Sequence, residues 1–193
     1  MSAALGALHD QIRACRLCAA HIPEPRPVLR PSAVARLLIA GQAPGTRVHA
    51  SGVPFTDPSG DRLRAWMGVD KDVFYDAARI AIVPMGFCFP GLDAKGGDKP
   101  PRPECARAWR HKLFALMPQV ELTLLVGAYA QAWHLRGRAK GSLTETVRAW
   151  ADYAPAFIPL PHPSWRNTAW IKKNPWFESD LLPELRRRVA ALI

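Results

Sequence analysis

The side chains of this chain best suited to chemistry by type and spacing are its four cysteines. They stand at Cys15, Cys18, Cys88 and Cys105, in the pattern C-x2-C-x69-C-x16-C. Thiolate is a soft ligand that selects zinc or iron–sulfur centres. The tight first pair points two sulfurs at one ion or cluster. The second pair is too widely spaced for a common zinc ribbon, which repeats a tight pair. It brackets a long loop and suits a 4Fe-4S cubane, whose size accepts ligands from separate segments. Structural four-cysteine zinc and unligated buried thiols are the alternatives. A cluster here pins the N-terminal helix and the 89–104 loop to the body and needs no redox role. In a cytoplasmic chain, disulfides are not expected.

The remaining polar candidates lie in three Gly- or Pro-rich segments: GQAPGTRVHASGVPFTDPSG (41–60), PMGFCFPG (84–91) and PHPSWRN (161–167). Each follows a short apolar run suited to a strand buried on both faces: 35–40, 78–83 and 156–160, with a further run at 121–126. Between them lie helical patterns. Leu5, Leu8, Ile12 and Cys15 predict an amphipathic helix over 3 to about 17. Ser59 can cap a helix that passes through Leu63 and Trp66 and stops at Gly68. Pro103 suits the first turn of another. Helices are also expected from 127, over 143–150 and over 179–192, the last with Pro183 in its first turn. Residues 21–32 are Pro-rich and extended. Alternating strands and helices imply a three-layer α/β/α fold with a central four-stranded, mainly parallel sheet. In such sheets the site lies beyond the carboxyl ends of the strands, where the three polar segments converge.

GQAPG at 41–45, G-x-P-F from Gly52 to Phe55 and HPS at 162–164, in this order, resemble the uracil-DNA glycosylase superfamily. The cysteine spacing resembles its iron–sulfur branches, families four and five. The likeness runs from Cys15 to about Asn167. It implies a four-stranded parallel sheet sandwiched by helices, and hydrolysis of the bond between a base and deoxyribose after the base leaves the stack. The transition state pairs an oxocarbenium-like sugar with an anionic leaving base, so the site must stabilise that charge and guide a water.

The resemblance also implies roles. Phe55 stacks on the flipped base, and a neutral His162 donates to the base oxygen that gains charge. Ser164 binds a phosphate, while Trp165 and Arg166 occupy the wedge that enters the duplex. Asn167 contacts DNA or caps the next segment. Gly41, Pro44 and Gly45 let backbone approach the nucleotide. Two positions depart from family four. Its glutamate is replaced by Gln42, which takes no proton at neutral pH and can only orient water or contact the base. His49 can serve as the base instead, with Asp57 and Asp61 as alternatives, although Asp61 suits a first helical turn. The family's base-reading asparagine is replaced by Pro84. Discrimination then falls to backbone around Met85 and Gly86, and should be less sharp.

The chain of 193 residues carries 26 Lys+Arg against 16 Asp+Glu, a net charge of +10 that points to a polyanionic partner. The expectation is one glycosylase-like domain over 1–193, monomeric, without a membrane or targeting segment, cytoplasmic and nucleoid-associated. Its partner is DNA holding a deaminated base, uracil first, with hypoxanthine or xanthine also possible substrates. It is monofunctional, because no lysine stands in the motif segments to form a Schiff base. A silent nucleic-acid-binding module with the same fold and cluster is the alternative. A third class, an α/β hydrolase of small anions, lacks a G-x-S-x-G or GKS/T signature. The basic run Arg186–Arg188 reads as a solvated surface rather than a DNA clamp.

Overall fold

The computed structural model describes residues 2–193. Strands β1 (Leu37–Ala40), β2 (Ile80–Ile82), β3 (Leu122–Val126) and β4 (Phe157–Leu160) form one sheet in the order β2-β1-β3-β4, and every pairing is parallel. Register sets Leu37 beside both Ile80 and Leu122, and Thr123 beside Phe157. Successive strand residues face opposite ways. Leu37, Ile39, Ile80, Ile82 and Leu124 therefore share one apolar cluster, whereas Leu38, Ala81 and Val83 belong to the other face.

Helices cover both faces. On the first lie α3 (Pro58–Met67), α4 (Lys71–Tyr75), α7 (Leu143–Arg148) and α9 (Leu182–Ala190), through Leu63, Phe74, Val147 and Leu185. On the second lie α1 (Ala3–Arg13), α5 (Pro103–Ala115) and α6 (Ala128–Leu135), through Leu5, Leu113 and Ala130. Two short helices, α2 (Thr46–Ser51) and α8 (Thr168–Lys173), sit in the loops after β1 and β4. The three-layer α/β/α fold expected from the alternation is the one found, with a fully parallel sheet. Among the described residues no helix is long and apolar enough to cross a membrane.

The local differences have local causes. α1 stops at Arg13 rather than near 17, because the Cys15 N–H turns back to the Ile12 carbonyl at 3.0 Å. The C-x2-C pair therefore lies on the turns after the helix. Pro58 takes the first position of α3 and Asp57 the position before it, so Ser59, expected as the cap, is buried inside the first turn. Gly68 ends that helix in the left-handed region at φ 69°. α2, α4 and α8 escaped the sequence reading, since five or six residues hold too little periodicity to register. A π turn over Phe177–Leu181 precedes α9, whose first turn holds Pro183 as expected. Arg186 donates to the Ala65 and Trp66 carbonyls, and Arg187 and Arg188 both grip Glu184. The run thus serves the α9 surface and its joint with α3.

Candidate active site

Parallel strands send their following loops to one edge, and there the polar segments line a cleft of about 640 Å³. Gly41, Gln42 and Gly45 come from the loop after β1, Phe55 from the α2–α3 connection, and Pro84 from the segment after β2. His162 and residues 164–167 come from the loop after β4.

Phe55 holds φ at 56°, a left-handed conformation that a side chain with a Cβ rarely adopts. Three neighbours fix it. The Tyr75 hydroxyl donates to the carbonyls of Pro54 (2.8 Å) and Phe55 (3.0 Å). Arg64 Nη1 reaches the Phe55 carbonyl at 3.4 Å. Gly60 passes so close beneath that a Cβ there would stand 1.8 Å from the Phe55 oxygen. The ring meets Phe74 edge-on at 6.0 Å, and a Cβ on Gly41 would stand 3.3 Å from its Cζ. A half-buried aromatic is thus held rigidly in the cleft wall by backbone strain that the surroundings sustain.

His162 is fixed in tautomer as well as in place. The Ser164 N–H donates to its Nδ1 at 3.2 Å, which leaves the proton of the neutral ring on Nε2. Burial lowers its pKa below the ordinary histidine value, while Asp57 and Asp98 pull it partly back. Asn167 holds the His162 carbonyl through Nδ2 at 2.7 Å. It precedes α8 but makes no side-chain cap, so its role is to brace the histidine loop rather than to cap. Arg62 ties the same loop to α3 through the Ser164 carbonyl at 2.9 Å.

Trp165 is 77% exposed at the cleft rim, with the Arg166 guanidinium 5.9 Å from its ring. Two carboxylates line the cleft. Asp57 stands at the start of α3 without making a capping hydrogen bond. Asp98 was not singled out in the sequence. It belongs to the Gly-rich 91–98 turn, and its Oδ2 would stand 3.3 Å from a Cβ on Gly45. Burial raises its pKa, and His162 and Arg166 oppose the rise. Asp61, the other carboxylate considered, pairs with Arg64 at 2.6 Å in the first helical turn, as its position suggested.

Three expected site residues stand elsewhere. His49 pairs with Glu24 at 3.2 Å and packs 5.6 Å from Phe89. Thr46, Arg47 and Val48 line the cleft, but one more residue of helix turns about 100° away. His49 therefore clips α2 to the 21–30 connector and stands outside the cleft lining. Met85 is buried, and its N–H is spent on the Gly41 carbonyl at 2.8 Å. The Gly86 N–H is spent on the Gln42 carbonyl at 2.9 Å, and Arg110 occupies the Pro84 carbonyl. Of the backbone groups expected to read a base there, both N–H groups hold two loops together.

A family model described as the uracil DNA glycosylase superfamily matches residues 30–186. This chain belongs to the uracil DNA glycosylase superfamily. Its members are typically glycosylase hydrolases that act on DNA, and membership gives this chain a uracil-DNA glycosylase-like function. The matched span includes all four strands, Cys88, Cys105 and the cleft lining apart from Val28, and begins after Cys15 and Cys18.

In this superfamily member all four cysteines line one second, mainly apolar cavity, with Ile12, Phe87 and Trp109 among the walls. None of the four forms a disulfide. Burial pushes Cys88 up to about 11 and Cys105 to about 12, and in both cases the neighbouring thiols add to the rise. A hydrogen-bond donor points at one sulfur: the Phe87 N–H reaches Cys105 Sγ at 3.4 Å. Among the described residues no group of three or more His, Cys, Asp or Glu side chains is gathered to hold a single metal ion.

Proposed function

We propose that this chain is a monofunctional DNA glycosylase that excises a flipped-out deaminated base, uracil first, by hydrolysis. The observation that carries the reading is the shared cleft of Phe55 and His162: a rigid aromatic face beside an imidazole whose proton is assigned to Nε2 by the Ser164 amide. The base stacks on Phe55, and His162 Nε2–H donates to its carbonyl oxygen as negative charge grows. Water forms a bond to the sugar C1′ as the C–N bond breaks. The water gives up a proton, and the base departs as an anion that is later protonated. Asp57 and Asp98 supply the negative charge that favours the cationic sugar and can take the proton from water, and Gln42 orients it. Trp165 and Arg166 fill the space left in the duplex, and Ser164 binds a neighbouring phosphate.

Pro84 has no side-chain reader and its backbone neighbours are committed, so Gln42 and His162 carry base recognition. A pocket read by two side chains discriminates less sharply, so hypoxanthine and xanthine join uracil as substrates.

The iron–sulfur branch is part of the same reading. Cys15, Cys18, Cys88 and Cys105 would hold a 4Fe-4S cluster, for which an apolar cavity with four soft donors and the Phe87 N–H aimed at Cys105 is suitable chemistry. When bound, the cluster supplies cross-linking rather than reaction chemistry. It ties the turn after α1 to the segment after β2, so the whole chain works as one unit. The cleft carboxylates weaken the motive for a silent binding module, since they restore the charge that Gln42 lacks.

The test is base release from oligonucleotides holding uracil, hypoxanthine or xanthine. Free uracil with an intact abasic strand is expected. Folded protein that binds DNA and releases no base would overturn the reading in favour of the silent module.

A further inference from the structure

The largest fully buried side chain in the molecule is a cation, Arg110, on α5. Its Nη1 donates to the carbonyls of Val83 (3.1 Å) and Pro84 (2.8 Å). Its Nη2 lies 2.7 Å from His134 Nε2 on α6, and its Cζ lies 5.2 Å from the centre of the Phe114 ring. Its Nε has no partner. No carboxylate is among these contacts. Burial and Arg110 together push His134 down to about 3, so that ring is a neutral acceptor at physiological pH. Burial lowers Arg110 to about 10 while Cys105 opposes the fall, and the side chain stays charged. A buried charge without a counter-charge is costly. Two carbonyls could be held by a neutral donor at less cost, so the charge itself needs a reason.

Its position supplies one. Pro84, whose carbonyl Arg110 holds, lines the cleft. The same peptide group donates through the Met85 N–H to the Gly41 carbonyl at 2.8 Å. The cation thus heads a line of hydrogen-bonded peptide groups, Arg110 to Pro84–Met85 to Gly41–Gln42, that ends in the loop lining the cleft. Such lines polarise cooperatively in a low-dielectric interior.

We propose that Arg110 is a positioning residue for departure of the base: it locks the Pro84 wall against the Gly41–Gln42 loop and places a positive charge with no carboxylate partner behind it, where the leaving base becomes anionic. This rests on the glycosylase reading above. A fixed positive charge matters most when the leaving group is poor, because more negative charge must then be stabilised at the transition state.

The experiment is single-turnover excision of uracil and of 5-fluorouracil, the better leaving group, from matched oligonucleotides. Tm and absorption near 400 nm are recorded for each protein. Arg110→Gln should slow uracil release about tenfold and 5-fluorouracil release less than threefold, with DNA affinity unchanged, while Arg110→Lys restores most of the rate. His134→Glu keeps Arg110 and its carbonyl bonds but gives the cation a carboxylate, and should reproduce the selective loss on uracil. It keeps the test open if Arg110→Gln does not fold. Equal losses on both bases, or a folded His134→Glu with uracil release intact, overturn the inference. Loss of visible absorption together with equal rate losses also overturns it, and assigns Arg110 to balancing charge at the cysteine cavity. Wild-type protein that releases neither base removes the glycosylase reading itself, an outcome distinct from the others.

Discussion

The cleft and the cysteine cavity are built on one short stretch of chain, yet they have opposite characters. Pro84 lines the cleft, and two residues later Gly86, Phe87 and Cys88 line the cavity. The cleft is broad and mixes an imidazole, two carboxylates and an aromatic face. The cavity is tight and apolar apart from its thiols and Arg102. Between them the Met85 and Gly86 amides are spent on the loop after β1, and Arg110 holds the carbonyls behind. A site that must bind and release a large substrate keeps its polar groups uncommitted. The proposed cluster site surrounds its donors with apolar walls, and the segment shared by both is fixed by backbone bonds.

The sharpest way to break that contrast is to disarm the cleft and leave the cavity alone. His162→Ala should lower kcat by about 10²–10³, with Tm and any visible absorption unchanged. Single-turnover base release checks this. The pH profile sharpens it. Burial lowers the His162 pKa, and the active ring is neutral with Nδ1 accepting from Ser164. Activity should therefore hold as pH falls to the ordinary histidine value of 6.5 and decline only below it. An acid limb above that value, which disappears in His162→Ala, would contradict the assigned environment.

The converse disarms the cavity. Cys15→Ser with Cys18→Ser should abolish bound iron and lower stability by about 3 kcal/mol, or roughly 6–12 °C in Tm. Because the link between the two sites runs through 84–88, kcat at low temperature should fall less than threefold once the protein is folded. Iron analysis, calorimetry and base release on one preparation decide it. Colourless wild-type protein with stoichiometric zinc would replace the cluster and keep the four ligands.

Gly60→Ala tests whether the pose of Phe55 matters or only its presence. The added methyl cannot coexist with the Phe55 carbonyl 1.8 Å away, so the loop must move. Overpacking of this kind costs about 1–3 kcal/mol, even though alanine is the better helix former. Base release should fall about tenfold. Unchanged release with a shifted Tm would mean that the loop relaxes without disturbing the aromatic face.

Much of this was legible in the sequence for a physical reason. Strands such as Leu37–Ala40 are buried on both faces and appear as unbroken apolar runs. Their order dictates that the polar segments after them converge, which placed Gln42, Phe55 and His162 correctly in one cleft. What escaped was anything set by rotation or by long-range backbone pairing. His49 leaves the cleft because a helix of six residues, invisible to periodicity, turns it away. The Met85 and Gly86 amides are committed by partners more than forty residues earlier. Arg110 sits among Arg107, His111 and Lys112 and reads as one more surface cation until tertiary packing buries it. Asp98 had no signal beyond a glycine-rich loop.

Trp165 gives the smallest effect and separates the rim of the cleft from its floor. At 77% exposure it contributes little packing, so Trp165→Ala should change stability by less than about 0.5 kcal/mol. If the indole fills the space of an extruded nucleotide, its loss removes a stacking contact worth about 1–3 kcal/mol. KM on duplex substrate should then rise about fivefold or more. On a single strand, where no stack has to be replaced, the rise should be under twofold, and kcat on either should hold within twofold. Equal effects on both substrates would make Trp165 a general contact for DNA, because only a side chain that replaces a base in the stack can distinguish a duplex from a strand that has none.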